Sequence, residues 1–317
     1  MSENTNKKLC QNELPSFLNS REGWGKMLEM KRSRYPHLHQ IEPTNACPYH
    51  CIMCPRGKEM KRSVGMMDFS LFCKVIDEVS AYPESIRKKE IELFHFGESL
   101  LHPQITEMSR YLVDKGLNGV LSVNAIELQP LLSEKLINAN INKIIVSLDG
   151  FDSESFQQIR GRTIDFQQAI DNILQASQFI KASNSKTQLI VRMIAMKKNA
   201  DQIVPFQNFW QERAIEAEIR PFFPWGEKEM AELGTYDKFP DYMPCTFAWQ
   251  YVVVQWNGDV VACCRDYNAV NKMGTIKDAT LEEIWNGANY IRFRENMISR
   301  KYENSICQPC MDLYSNR

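Results

Sequence analysis

The chain has no run approaching 18 consecutive apolar residues, so no segment of it is expected to span a membrane. It has almost no net charge. Its 38 basic and 39 acidic residues leave −1, which builds no phosphate-binding face and argues against nucleic acid as a partner. Met1–Asn12 is polar and lacks the apolar core of a secretory signal. Only 46 residues precede Cys47, too few for a separate peptide-binding domain in front of it. The basic run Lys31-Arg-Ser-Arg34 reads as a solvated helix face. What is present is an ordinary globular composition, 44% hydrophobic over 317 residues, enough for one large domain and a small one. Ten cysteines without a secretory signal argue for metal ligands over disulfides and for a cytoplasmic protein.

Three of those cysteines are close together in Glu42-Pro-Thr-Asn-Ala-Cys47-Pro-Tyr-His-Cys51-Ile-Met-Cys54, just after a short apolar segment. Three thiolates on one tight loop can hold three corners of a [4Fe–4S] cubane, leaving the fourth iron open for chemistry. Zinc is the alternative. It usually takes four ligands, and His50, adjacent to Cys51, is poorly placed to converge with it on one tetrahedral ion. Three buried thiols are the plainest alternative.

Residues 13–36 predict a short helix burying Phe17, Trp24, Met27 and Leu28. From 37 to about 222, strand and helix patterns alternate. Strands are expected at 37–43, 91–96, 120–124, 143–149, 187–196 and 215–221. Helices are expected from Asp68 as cap to Ser80, at 103–115 with Pro103 at its first position, at 130–138, at 165–182 and at 200–212. Six βα units give an α/β fold with a parallel sheet, too few strands to close an eight-stranded barrel and therefore an open, partial (β/α)6 TIM-like barrel. Ligands in such sheets sit at the carboxyl ends of the strands, where the cysteine loop falls.

The cysteine loop after a first strand resembles that of the radical S-adenosylmethionine (SAM) superfamily. The resemblance implies a SAM-binding [4Fe–4S] cluster on Cys47, Cys51 and Cys54, and cleavage of SAM to a 5′-deoxyadenosyl radical that abstracts hydrogen from a substrate carbon. It extends over the strand ends. Phe96-Gly97-Glu98 is similar to the family's Gly-Gly-Glu turn with its first Gly replaced, and it implies that Glu98 accepts from the SAM ammonium. Asn124 stands where the family often has Thr-Asn-Gly, with Ala125 replacing Gly. Ser147-Leu-Asp149-Gly150 and the following Arg160-Gly161 resemble elements that meet SAM, the arginine at its carboxylate. Asp149 as a turn cap and Arg160 as a surface residue are the alternatives. Arg192 lies inside an apolar strand, so it must be paired or face the lumen; it is read as a SAM or substrate contact, or else as a salt-bridged core arginine.

After residue 222 prolines 224, 240 and 244 break the pattern. Asn257-Gly258 between two apolar runs predicts a type I′ hairpin with Cys245 near its start and Cys263 near its end. Helices are expected at 281–286 and 289–298, and Cys307-Gln-Pro-Cys310 closes the chain. These four cysteines can enclose one further site, for which zinc is the alternative. The arrangement, with Gly258-Asp-Val-Val-Ala-Cys-Cys-Arg-Asp266, is similar to the SPASM/twitch extension that carries auxiliary [4Fe–4S] clusters. A full extension needs about seven cysteines and only five remain here, which implies the shorter twitch form, a β-hairpin plus helix, with one cluster. The cysteine spacing is close to that of aminocyclitol dehydrogenases of this type. The expected divisions are an N-terminal extension (1–36), the barrel (37–222) and the twitch domain (223–317). Cys264 is then spare, on the opposite face of the hairpin; it is a structural thiol, a substitute for Cys263 or a hydrogen-atom donor. Cys10 and Cys73 are bystanders, Cys73 in the core.

The chain is therefore expected to be a radical SAM oxidoreductase with two [4Fe–4S] clusters and SAM. Its expected substrate is a small polar molecule such as a sugar or aminocyclitol, oxidised at a secondary alcohol, and an external donor such as flavodoxin or ferredoxin supplies electrons. Peptide crosslinking or epimerisation, small-molecule epimerisation and a pure electron-transfer role are the alternatives. Trp225 and Trp249, with Arg192, are candidate pocket residues; an ordinary core place is the alternative for each Trp.

Overall fold

The computed structural model describes residues 15–224, 232–234, 242–302 and 306–314. Among the described residues nine strands form one sheet, in the order β6-β5-β4-β3-β2-β1-β7-β8-β9. The first six are β1 (His37–Ile41), β2 (Glu90–Glu92), β3 (Asn118–Asn124), β4 (Lys143–Ser147), β5 (Gln188–Ala195) and β6 (Glu216–Pro221), each parallel to its neighbour. The sheet stays open, a partial barrel, as the strand count requires. Helices α1 (Arg21–Lys31), α2 (Phe69–Ser80), α3 (Glu84–Arg87), α4 (Ile105–Asp114), α5 (Pro130–Asn138), α6 (Ser153–Arg160), α7 (Phe166–Ala182) and α8 (Ile203–Glu212) fall between or before these strands.

The apolar periodicity of α2 explains its place. Phe72, Val75, Ile76 and Val79 recur at helical spacing and are buried in one core with Leu38 and Ile41 of β1. Each such side chain contributes roughly 1.5–3 kcal/mol on burial. Asp68 caps α2, accepting from the amides of Ser70 and Leu71. Pro130 begins α5 as expected, but α4 starts at Ile105 with Gln104 as its cap, so Pro103 lies before the helix. Helix α6 was not expected from the sequence: Asp152 caps it and Gly161, left-handed, ends it.

The C-terminal region continues the same sheet. β7 (Tyr251–Val254) runs parallel to β1, and β8 (Asp259–Val261) and β9 (Lys272–Thr275) follow antiparallel. Three strands thus stand where a hairpin was expected, followed by α9 (Leu281–Asn286), α10 (Ala288–Ser299) and α11 (Cys307–Tyr314). The β7–β8 turn also differs from expectation. The Gly258 amide donates to the Gln255 carbonyl and Gln255 faces Asp259, while only Gly258 has a positive φ (+89°). A type I′ turn needs both central residues there; this is a three-residue loop with Gly258 at the left-handed position.

Helix α1 packs on the C-terminal region. Leu28, with Trp24 and Met27 beside it, shares a core with Trp249, Met297 and Tyr302. Phe17 is 54% exposed, in a three-ten turn before α1, and not on a buried face. Trp249 is a core residue whose indole donates to Glu29, and it lines a cleft between α1 and α10, beside Glu29 and Arg294. Trp225 and Cys10 lie outside the described residues. Cys73 is half-buried, at the rim of the core instead of within it.

Candidate radical SAM active site

The three-cysteine loop leaves β1 at its carboxyl end, and Cys47, Cys51 and Cys54 are all half-buried. Its backbone is pinned from two sides. His50 and Ile52 donate to the carbonyls of Arg160 and Ile159 at the end of α6, and Glu98 donates to the Ala46 carbonyl at 2.7 Å. The second contact needs glycine at 97. Its φ is +118°, and a Cβ there would stand 2.3 Å from the Thr44 carbonyl oxygen. The close approach that Gly97 allows is therefore to the cysteine loop. Burial pushes the Cys47 thiol up to about 12 and that of Cys54 up to about 11, and raises Cys51 as well. Such thiols give up their protons when metal charge replaces them.

Glu98 is fully buried. Its carboxylate accepts from the Leu100 amide and from both the amide and the side chain of Asn124. Burial raises its pKa to about 7 against those hydrogen bonds. Glu98 therefore orients Asn124 at the end of β3. Asn124 Oδ1 in turn accepts from Arg160 Nη1 at 3.0 Å, and the same nitrogen lies 3.7 Å from Cys51 Sγ. Arg160 Nη2 is 2.6 Å from Asp149 Oδ2, while Asp149 Oδ1 accepts from the Ile194 amide. Arg160 is thus neither a surface arginine nor isolated: it joins α6, β3, β4 and the cysteine loop. Its buried Nε has no hydrogen-bond partner among the described residues.

Asn124, Ser147, Arg192 and Glu218 form one row across β3, β4, β5 and β6, each the register partner of the next. Side chains of one row in a parallel sheet share a face, so the row leads from Asn124 toward the open edge of the barrel. Arg192 donates to Glu218 at 2.7 Å, and Glu218 also meets Arg220 at 3.1 Å. Of the alternatives for Arg192, the salt bridge is what the structure shows; the pair lies on the lumen face and is partly exposed.

Cys245, Cys263, Cys307 and Cys310 line one cavity between the segment that follows β8, α10 and α11. Cys245 precedes a three-ten turn (Thr246–Trp249), and Cys307 and Cys310 share a face of α11 at a spacing of three. Among the described residues no three His, Cys, Asp or Glu side chains close on a single-ion point; the one cavity that all four thiols line, among apolar side chains, carries the assignment. Cys264 does not line it, but neither is it on an opposite face: its thiol is near enough to that of Cys263 to raise the latter. Strand β8 ends at Val261, so the alternation of a pleated strand does not reach 263 and 264.

Two groups were not read from the sequence. Arg265 Nη1 donates to Cys310 Sγ at 2.7 Å. Glu42, at the end of β1, is bound by Arg62 and lies beside His95. The only signal for Arg265 is its place immediately after two cysteines; for Glu42 and Arg62 there is none beyond proximity to the loop.

The donor sets fit iron–sulfur groups: three loop thiols with an arginine at one of them, and four further thiols around a single cavity. Residues 41–203 match the model of the radical SAM superfamily, and the chain belongs to that superfamily. Residues 245–311 match the SPASM iron–sulfur cluster-binding domain, so the protein is a radical SAM enzyme with a SAM-binding [4Fe–4S] cluster and auxiliary iron–sulfur binding. It is 22% identical to the tungsten-containing aldehyde ferredoxin oxidoreductase cofactor-modifying protein of Pyrococcus furiosus, over 85% of this chain and 86% of that one. It is 30% identical to the AdoMet-dependent heme synthase of Methanosarcina barkeri over 138 residues, 44% of this chain and 38% of the length of that one. Among solved structures, BtrN in complex with AdoMet and 2-DOIA superposes with a TM-score of 0.59 at 18% identity, over 87% of this chain and 92% of that one. Streptococcus suis SuiB bound to its precursor peptide SuiA superposes with a TM-score of 0.68 at 14% identity, over 91% and 72%. Among the described residues no helix is long and apolar enough to cross a membrane.

Proposed function

We propose that this enzyme oxidises a secondary alcohol of a small polar molecule, a sugar or aminocyclitol, to a ketone. The observation that carries this reading is the four-cysteine cavity built onto the same sheet as the three-cysteine loop. When bound, SAM and the clusters supply a radical that takes a hydrogen atom from the carbinol carbon and an acceptor for the remaining electron, the hydroxyl proton passing to water. Cys47, Cys51 and Cys54 hold the first cluster, and Cys245, Cys263, Cys307 and Cys310 the auxiliary one. Arg160, with its unpartnered Nε, receives the SAM carboxylate. Asn124, locked by Glu98 and Arg160, and Ser147 beside it present fixed polar atoms to SAM. Gly97 and Asp149 act through others, Gly97 on the loop and Asp149 on Arg160. Arg192 and Glu218, further along the row, offer donors and acceptors to substrate hydroxyl or amino groups. A reduced flavodoxin or ferredoxin is the proposed electron donor.

The architecture of BtrN, whose structure contains 2-DOIA, supports a substrate of this class. The test is anaerobic turnover with candidate polyols and aminocyclitols. One ketone, two hydrogens lighter than its substrate, is expected per 5′-deoxyadenosine formed. A product isomeric with its substrate overturns oxidation and favours an epimerase in which Cys264 gives back a hydrogen atom.

A second reading, modification of a ribosomally made peptide, is favoured by the likeness to SuiB with its precursor peptide. SAM cleavage that depends on a peptide encoded beside this protein would decide for it.

A further inference from the structure

The sulfurs of the four-cysteine cavity receive N–H donors from one short segment. Arg265 Nη1 donates to Cys310 Sγ at 2.7 Å, the Arg265 amide to Cys263 Sγ at 3.3 Å, and Asn271 Nδ2 to Cys307 Sγ at 3.5 Å. The guanidinium is buried and lies over the Phe223 ring, 3.5 Å from its centroid. In the first loop the corresponding contact, Arg160 to Cys51, is longer, at 3.7 Å. Reduction adds negative charge to a thiolate-held cluster. Hydrogen bonds to its sulfurs and a buried cation stabilise the reduced form, and water screens such a cation little.

We infer that Arg265 sets the reduction potential of the auxiliary cluster, holding it high enough to accept an electron from a substrate-derived radical. Arg265 is a positioning residue: it acts through Cys310 and Cys263, not on the substrate. The inference rests on the oxidation proposed above, in which that cluster is the acceptor. Charge and donor geometry both contribute. Lysine at 265 keeps the charge but replaces the planar fork with a point donor on a flexible stem.

The test is a reductive titration followed by electron paramagnetic resonance. It uses the full chain with Cys47, Cys51 and Cys54 changed to Ala, so that one cluster reports. Arg265→Gln is expected to make reduction at least tenfold less favourable, a downward shift of about 59 mV for one electron. Arg265→Lys should fall between it and the parent, and Asn271→Leu should give a smaller shift of the same sign. A midpoint for Arg265→Gln equal to that of the parent, at equal iron content, overturns the inference. If Arg265→Gln does not assemble a cluster, Arg265→Lys decides: a lower midpoint supports the inference and an unchanged one overturns it. A shifted midpoint in an enzyme whose product is not oxidised would sink the proposed reaction alone. An unshifted midpoint in an enzyme that makes ketone would sink this inference alone.

Discussion

Glu42 accepts both terminal nitrogens of Arg62, each at 2.8 Å, from a position without solvent exposure at the end of β1. The same carboxylate accepts from the amides of Phe96 and Trp256 and lies 3.5 Å from His95 Nδ1. His95 Nε2 in turn reaches the Cys264 carbonyl at 2.8 Å, and Arg62 Nε donates to that of Tyr267. One buried anion thus ties the segment after the first cysteine loop to the segment that carries Cys263 and Arg265.

Breaking that pair should therefore be costly. Arg62→Met leaves Glu42 buried without its cation, and a loss on the order of 3–5 kcal/mol is expected from denaturant unfolding of the metal-free protein. Adding Glu42→Gln to Arg62→Met should cost less than the sum of the two single changes, because both remove the same interaction.

The pair also gives an acid limb to stability. Burial pushes the Glu42 carboxyl up, but the hydrogen bonds from Arg62 and the nearness of His95 outweigh it and hold it at about 2, below the ordinary 4.5. A carboxyl lowered by folding contributes stability that is complete above the unfolded value and is lost as pH falls toward the folded one. The stability difference between wild type and Glu42→Gln should stay constant from pH 7 to about 5 and shrink from there toward pH 2, as read by unfolding at each pH.

Arg160 should control SAM affinity. Arg160→Lys keeps a charge beside Asp149 but cannot span Asp149, Asn124 and a ligand carboxylate with one planar group. A fall in SAM affinity of roughly 10- to 100-fold is expected by equilibrium dialysis of the anaerobic enzyme, the range typical of lost supporting contacts. Unchanged affinity would place the carboxylate elsewhere.

Iron counts should separate the two cysteine sets. About eight irons per chain are expected after anaerobic reconstitution, falling to about four when Cys47, Cys51 and Cys54 are all changed to Ala. The complementary change of Cys245, Cys263, Cys307 and Cys310 should also leave about four. Cys264→Ala should leave the count unchanged, because its side chain does not line the cavity.

The sequence was informative where chemistry depends on local spacing. The C-x3-C-x2-C loop, Gly97-Glu98 and Asp149 could be picked out because each follows a strand whose apolar period is visible in the chain, whereas Arg160, at the end of a helix that was not expected, was picked out only by its resemblance to a family motif. It was silent on which partner satisfies a charge when that partner lies on another strand. Glu98 and Arg192 carry charges that had to meet partners, and residues distant in sequence, Asn124 and Glu218, supplied them. Cys264 was placed by strand alternation, which fails because the strand stops before it.

The residues by themselves determined the class of chemistry, the alternating α/β order and the two cysteine sets, since thiol spacing and apolar periodicity are properties of neighbours along the chain. Only the tertiary structure decided how the two sets are joined. The parallel pairing of β1 with β7 and the burial of Glu42 among Arg62, His95 and Trp256 bring together segments about 200 residues apart. Contacts at that separation are selected by the packing of the whole sheet and leave no period in the sequence to read.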